Sequence, residues 1–254
     1  MANQQPDEKA VISLFLKHFD RCEGHHNLFF ESDAEILEPL QGKMLFTTDE
    51  FSSEDFFLEG DPHLLGWNLA CCTISDILAS GGTPAYFGHA LTLSTGWDED
   101  YINRFASGIA LAVKSAGAGF IGGDLGVSGS WKYTGICQGY EASPLTRKGA
   151  APGDSHYLNV QAGTGILMGA MKLFPVEKET SNLMQGGRIR FPLRMKESKI
   201  IKAFAGCCID TSDGVLNALN TLADINQTGF RVSHIPYLEG GRQICSLLAK
   251  PQSF

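Results

Sequence analysis

The sequence predicts an α+β fold in two domains, and three observations carry that prediction. Apolar patterns alternate strand, helix, strand, helix, strand, strand as far as Ala142. A Pro- and Gly-rich stretch, Pro144 to Gly153 (PLTRKGAAPG), then interrupts them. Finally, 254 residues make one large domain or two of ordinary size. The bounds set here are 1–28 for an N-terminal helix and extension, 29–143 for the first domain and 144–254 for the second.

Taken in order, residues 1–9 (MANQQPDEK) are polar and fray, and Ala10 to Phe19 has the apolar spacing of an amphipathic helix. Cys22 to Asn27 is a polar loop. His25 and His26 within it read as solvated, because adjacent histidines point apart and rarely chelate one ion. Met44 to Asp49 is a strand that ends in two threonines and an acid. Asp61-Pro62 opens a helix, Asp as cap and Pro at the first position, that runs through Trp67, Ile74 and Leu78 to Gly81-Gly82. Asp76 falls inside this apolar helix and needs a partner, whether a metal ion, a basic group, a cap or a salt bridge. Ala85 to Leu93 is a strand, and Trp97-Asp98-Glu99-Asp100 opens a second helix ending at Gly117-Ala118-Gly119. Phe120 to Asp124 reads as a short strand turning sharply at Gly122-Gly123, where glycine lets a ligand approach the backbone. Tyr133 to Tyr140 is the last strand of the first domain.

In the second domain, His156 to Val160 and Gly229 to Val232 read as strands, and Ile166 to Leu173 as a helix. The Gly163-Thr164-Gly165 before that helix lacks the third glycine and downstream acid of a dinucleotide fingerprint. Glu177 to Gln185 is a polar loop, and Arg188, Arg190 and Arg194 flank Phe191-Pro192. A helix through Ile200 and Phe204 leads to a strand ending at Ile209-Asp210. The turn Ser212-Asp213-Gly214 then starts a helix at Val215.

A net charge of −8 argues against nucleic acid as the partner, since affinity for a phosphate backbone comes from Lys and Arg. Seven cysteines, at 22, 71, 72, 137, 207, 208 and 245, show no CxxC spacing, which favours reduced thiols over zinc. No signal peptide opens the chain, and no apolar run approaches the ~20 residues that span a membrane. The expected compartment is the cytoplasm.

The chemistry concentrates in carboxylates at the ends of apolar runs: Thr47-Thr48-Asp49, Ile74-Ser75-Asp76, Ile121-Gly122-Gly123-Asp124 and Ile209-Asp210-Thr211-Ser212-Asp213-Gly214. A capped helix alone explains the last of these. Several such carboxylates together are what a magnesium–nucleotide site without a P-loop requires. The basic pair Arg147-Lys148 is either plain linker or a neutraliser of nucleotide phosphates.

These motifs, with Arg147-Lys148-Gly149-Ala150-Ala151-Pro152-Gly153-Asp154, carry a resemblance over about Asp33 to Pro236. The chain resembles the thiamine-monophosphate kinases. More distantly it is similar to aminoimidazole ribonucleotide (AIR) synthetase and to the hydrogenase-maturation and selenophosphate enzymes of the same two-domain fold. The resemblance implies an N-terminal domain of mixed sheet and helices that forms a homodimer, and a C-terminal α/β sandwich. It implies ATP and Mg²⁺, the metal held by Asp33, Asp49, Asp76, Asp124 and Asp210. Thr48 and Ser212 would assist, Gly122, Gly123 and Arg147 would contact phosphates, and Asp213 would complete an acidic cluster that is catalytic with Asp210. The implied reaction moves the terminal phosphoryl group of ATP onto a small phosphorylated molecule. AIR-synthetase-type ligase or dehydratase chemistry, and nucleotide binding with weak catalysis, are the alternatives.

Three departures stand out. Ser32-Asp33-Ala34 replaces the family's Asp-Asp-Ala, Asp55-Phe56 stands where the kinases carry a substrate-contacting His, and a later Gly-Gly-Glu-Asp-Tyr-Glu-like segment is absent, which marks the second domain as incomplete.

Overall fold

The computed structural model describes residues 8–20, 22–28, 31–159, 161–173 and 189–238. The expectations for residues 1–7, for Glu177 to Gln185 and for Arg188 and Cys245 lie outside the described residues. The chain divides into two compact units. One holds residues up to 144 with the strap Arg190–Met195; the other holds residues beyond 144 with Phe56–Leu58.

The first unit is a four-stranded mixed sheet with helices on one face. Its elements are α1 (Glu8–Leu16), β1 (Lys43–Ser52), α2 (Pro62–Ala79), β2 (Thr83–Ser94), α3 (Glu99–Ser115), β3 (Gly119–Ser128) and β4 (Lys132–Glu141). Strand order is β1-β4-β2-β3. Strands β1 and β2 flank β4 antiparallel, and β3 lies parallel to β2 after the crossover through α3. Asp61 caps α2 as expected, its carboxylate accepting from the His63 and Leu64 amides with Pro62 in the first turn. Asp98 caps α3 in the same way through Tyr101.

The core lies between the helices and the inner face of the sheet. Leu65, Leu69, Ile74 and Ile77 of α2 and Phe105 and Ile109 of α3 are buried against Phe87, Tyr133 and Cys137. Each such apolar side chain contributes roughly 1.5–3 kcal/mol by leaving water. The two helices touch backbone to backbone. A Cβ on Gly66 would come within 2.2 Å of the Phe105 carbonyl oxygen, and one on Gly108 within 2.0 Å of the His63 carbonyl oxygen. Helix α1 seals the far end with Phe15 edge-on to Phe105, while Phe19, just beyond it, stacks on Phe120. The outer face of the sheet is open at one end, where Met44, Phe46 and Tyr140 are 63%, 58% and 37% exposed.

Two strands differ from expectation. β1 does not end at Asp49 but runs to Ser52, because β4 offers ladder partners along its whole length, Asp49 facing Gly135 and Ser52 facing Lys132. β3 does not turn at Gly122-Gly123. It continues to Ser128, the irregularity being absorbed by a bulge between Phe87 and His89 and by Gly122 at φ +107°.

The second unit contains α4 (Thr164–Leu173), α5 (Met195–Phe204) and α6 (Val215–Asn226), each where the apolar spacing placed it. The strands expected at His156 to Val160, at Ile209-Asp210 and at Gly229 to Val232 are not formed among the described residues. A strand exists only when paired, and the single bridge of this unit among the described residues joins Ala162 to Tyr237. No α/β sandwich is therefore seen among the described residues.

Candidate functional site

Asp76 of α2 meets the inner side of the sheet edge at Thr47, on the strand that also carries Asp49. Side chains alternate along a strand, so Thr47 and Asp49 of β1 share the face turned toward α2, and Thr48 takes the other. The Thr47 hydroxyl donates to Asp76 Oδ2 at 2.6 Å, which answers the question of what a carboxylate does inside this apolar helix. Two buried groups of β4 register the acids. Burial, and then the Asp76 charge, push the Cys137 thiol up to about 12. The Tyr133 hydroxyl is pushed well up, by burial first, then by Cys137, Cys72 and Asp49.

Asp124 is elsewhere. It pairs with Ala90, Ala90 with Thr134 and Thr134 with Glu50, so Asp124 points to the face opposite Asp49, on the strand at the other edge. Three interstrand spacings separate those edges, about 14 Å. Thr48 shares the outer face with Asp124. The segment 31–38 runs past Gly122, for Glu35 Oε1 sits 2.9 Å from where a Gly122 Cβ would stand. Asp33, two residues before Glu35, is exposed. Of the four expected ligands in this unit, Asp49 and Asp76 thus lie on the inner side and Asp124 on the outer face, while Asp33 is exposed on the segment 31–38.

In the second unit, Asn226 at the end of α6 organises the basic loop. Its side-chain oxygen accepts from the Gly149 and Ala150 amides at 2.7 and 3.0 Å, and its nitrogen donates to the Arg147 and Leu222 carbonyls, both at 2.8 Å. The Cys208 amide donates to the Thr146 carbonyl at 3.0 Å, so the segment entering Asp210 runs beside that loop. The cap of α6 is Gly214, at φ +91°, with no side-chain capping bond. Ser212 and Asp213 are therefore not spent as caps; both are exposed, as is Arg147, while Asp210 is half-buried.

Sequence reasoning missed Asn226, since a lone Asn near a helix end carries no special signal. It also misplaced His25. That ring is not solvated: its side chain is fully buried, with Nε2 2.5 Å from Glu35 Oε2. His26 pairs with Glu38 at 2.8 Å. The acid at Glu35, ten residues on, gave no hint of pairing because the intervening chain folds back through the His25–Leu37 bridge.

The donors are carboxylate and hydroxyl oxygens, the hard ligands that suit Mg²⁺. Among the described residues, no three His, Cys, Asp or Glu side chains gather closely enough to hold an ion. Magnesium usually takes one or two carboxylates and fills its sphere with water and phosphate oxygens, so the Asp49–Asp76 pair fits it.

Residues 31–140 match the family described as AIR synthase related protein, N-terminal domain. Over those residues the chain carries an AIR synthase-related N-terminal domain. Among its relatives is a thiamine-monophosphate kinase of Halobacterium salinarum, 30% identical over 168 residues, which are 66% of this chain. The aligned part spans 56% of that relative's length. The fold is shared with a structure of AaThiL complexed with AMPPCP and TMP, at TM-score 0.73 and 21% identity, covering 99% of this chain and 82% of that one. It is shared equally with a hydrogenase maturation protein, HypE, in complex with ATP, at TM-score 0.73 and 20% identity over 98% of this chain and 75% of that one.

Proposed function

We propose that this chain binds ATP with Mg²⁺ and transfers the terminal phosphoryl group to the phosphate of a small acceptor, thiamine monophosphate being the first to test. The observation that carries this reading is the pairing of Asp76 with Thr47 on the face that also presents Asp49. It is supported by the thiamine-monophosphate kinase relatives. Asp33, Asp49, Asp76, Asp124 and Asp210 would hold magnesium, with Thr48 and Ser212 assisting. Gly122, Gly123 and Arg147 would meet the phosphates, and Asp213 would complete the acidic cluster that is catalytic with Asp210. Bound magnesium would supply charge neutralisation for a transfer that needs mostly positioning. Asn226 keeps the Arg147 loop in place while the phosphates are held.

A homodimer belongs to this proposal. The open outer face, with Met44, Phe46 and Tyr140, suits a second copy, and it is the face that carries Asp124 and Thr48. The cytoplasm is the proposed compartment. All six described cysteines are thiols, and no helix among the described residues is long and apolar enough to cross a membrane.

Calorimetric titration with a non-hydrolysable ATP analogue, with and without Mg²⁺, tests the site. Binding is expected only with magnesium, and Asp76→Asn or Asp210→Asn should abolish it while circular dichroism stays unchanged. Wild-type-like binding in both variants would defeat the assignment. The likeness to HypE with ATP favours a second reading, ATP-dependent ligase or dehydratase chemistry. ATP cleavage that needs no phosphorylated acceptor would support that reading against the kinase. Magnesium-dependent binding without turnover on any acceptor would leave a nucleotide-binding protein.

A further inference from the structure

Outside the acidic site, a cysteine, a histidine and a glutamate stand in line on the segment that covers the start of β3. Cys22 Sγ lies 4.0 Å from His25 Nδ1, and the other ring nitrogen, Nε2, lies 2.5 Å from Glu35 Oε2. The order is sulfur, imidazole, carboxylate, each within or at the edge of hydrogen-bond reach. It is the arrangement in which a base next to a nucleophile is itself oriented by a third group. The carboxylate is fixed in turn, since Asn27 Nδ2 donates to the same Glu35 oxygen at 3.1 Å and Asn27 Oδ1 accepts the Ile36 amide at 2.8 Å. The imidazole is buried, whereas Cys22 is only half-buried.

We propose that Cys22 is a modification site, a nucleophilic thiol assisted by His25 and Glu35 that reacts with hydrogen peroxide. His25 Nδ1 takes the thiol proton, and Glu35 stabilises the imidazolium that results. The sulfur attacks one peroxide oxygen, the O–O bond breaks, and the departing hydroxide takes the proton back from His25 as water. Cysteine is oxidised to sulfenic acid and peroxide is reduced to water, so no further reactant is needed. A metal site is a poorer account of the trio, because among the described residues no group of three such ligands could hold an ion.

The surroundings favour this cysteine over four of its counterparts. Cys71 and Cys137 are buried, and burial pushes both thiols up to about 12. Cys207 and Cys208 are half-buried like Cys22. Burial first, with the Asp154 charge for Cys207 and the Asp210 charge for Cys208, raises them. Besides His25, the Tyr86 hydroxyl stands near enough to Cys22 to interact with it, and donates to the Glu38 carbonyl at 3.1 Å. Gly119 gives the cysteine its place: a Cβ there would overlap the Cys22 side chain.

The test uses the reduced full chain, exposed to hydrogen peroxide with dimedone present and read by peptide mass spectrometry. Labelling at Cys22 is expected to run about tenfold faster than at Cys207 and Cys208. His25→Asn and Glu35→Gln should bring it down to their rate. Labelling of Cys22 in the wild type no faster than at those two cysteines would overturn the proposal, and so would undiminished labelling in both variants. The wild-type comparison needs no variant to fold, and it does not depend on what the acidic site binds.

Discussion

His89 shows how a single side chain sets a pH limit on this fold. It is 3% exposed on β2, ringed by Phe15, Phe120 and Tyr133, and its Nδ1 has no hydrogen-bond partner among the described residues. Burial alone pushes its pKa down to about 4. The unfolded chain, with an ordinary histidine near 6.5, therefore binds the proton first as pH falls. The contribution is fully present above pH 6.5 and is lost progressively toward pH 4, about 3 kcal/mol at most. Urea midpoints should fall across this window in the wild type and fall less in His89→Phe; equal pH slopes would show that the ring is not responsible. At this scale the sequence was partly readable. Asp61 before Pro62 announced its cap, and Asp76 in an apolar helix announced that it needs a partner. That the partner is a threonine hydroxyl, and that His25 meets Glu35, depends on chain reversals that spacing does not encode.

Among the elements, helices were legible and the strands of the second unit were not. A helix satisfies its own backbone, so the apolar spacing of α2, α3, α4, α5 and α6 sufficed to locate them. A strand needs a neighbour. Met44 to Asp49 was visible as a strand, yet its extension to Ser52 is dictated by β4, and Gly229 to Val232 has strand-like residues with no ladder among the described residues. Helix α6 has a task that its sequence hides, since Asn226 on its last turn holds the Arg147–Ala150 loop through three hydrogen bonds. Asn226→Ala should cost about 0.5–1.5 kcal/mol, because the Gly149 and Ala150 amides exchange their acceptor for water. The same change should weaken nucleotide-analogue binding in calorimetry without altering helix content. Unchanged affinity would mean that the loop does not depend on this clamp.

For the molecule as a whole, the sheet has one face that helices cover and one end of the other face that none of the described residues covers. Met44, Phe46 and Tyr140 there are aligned by the pairing of β1 with β4, and water is a poor neighbour for them. Sedimentation velocity should find a dimer, and Phe46→Glu should return it to monomer with the fold intact by circular dichroism. A wild-type monomer, or a dimer indifferent to Phe46→Glu, would remove the second copy from the proposal. The strand order has its own consequence for the way the chain comes into being. β1 can pair only with β4, and during synthesis β4 emerges last of the four, after α2, β2, α3 and β3 have left the ribosome. Until then β2 and β3 can zip together through their local crossover, but β1 waits. Its docking closes a long loop, the kind of non-local step that slows folding. A nascent chain halted before Lys132 would hold Thr47 and Asp49 on an unpaired strand, open to proteases or to the edge of another chain.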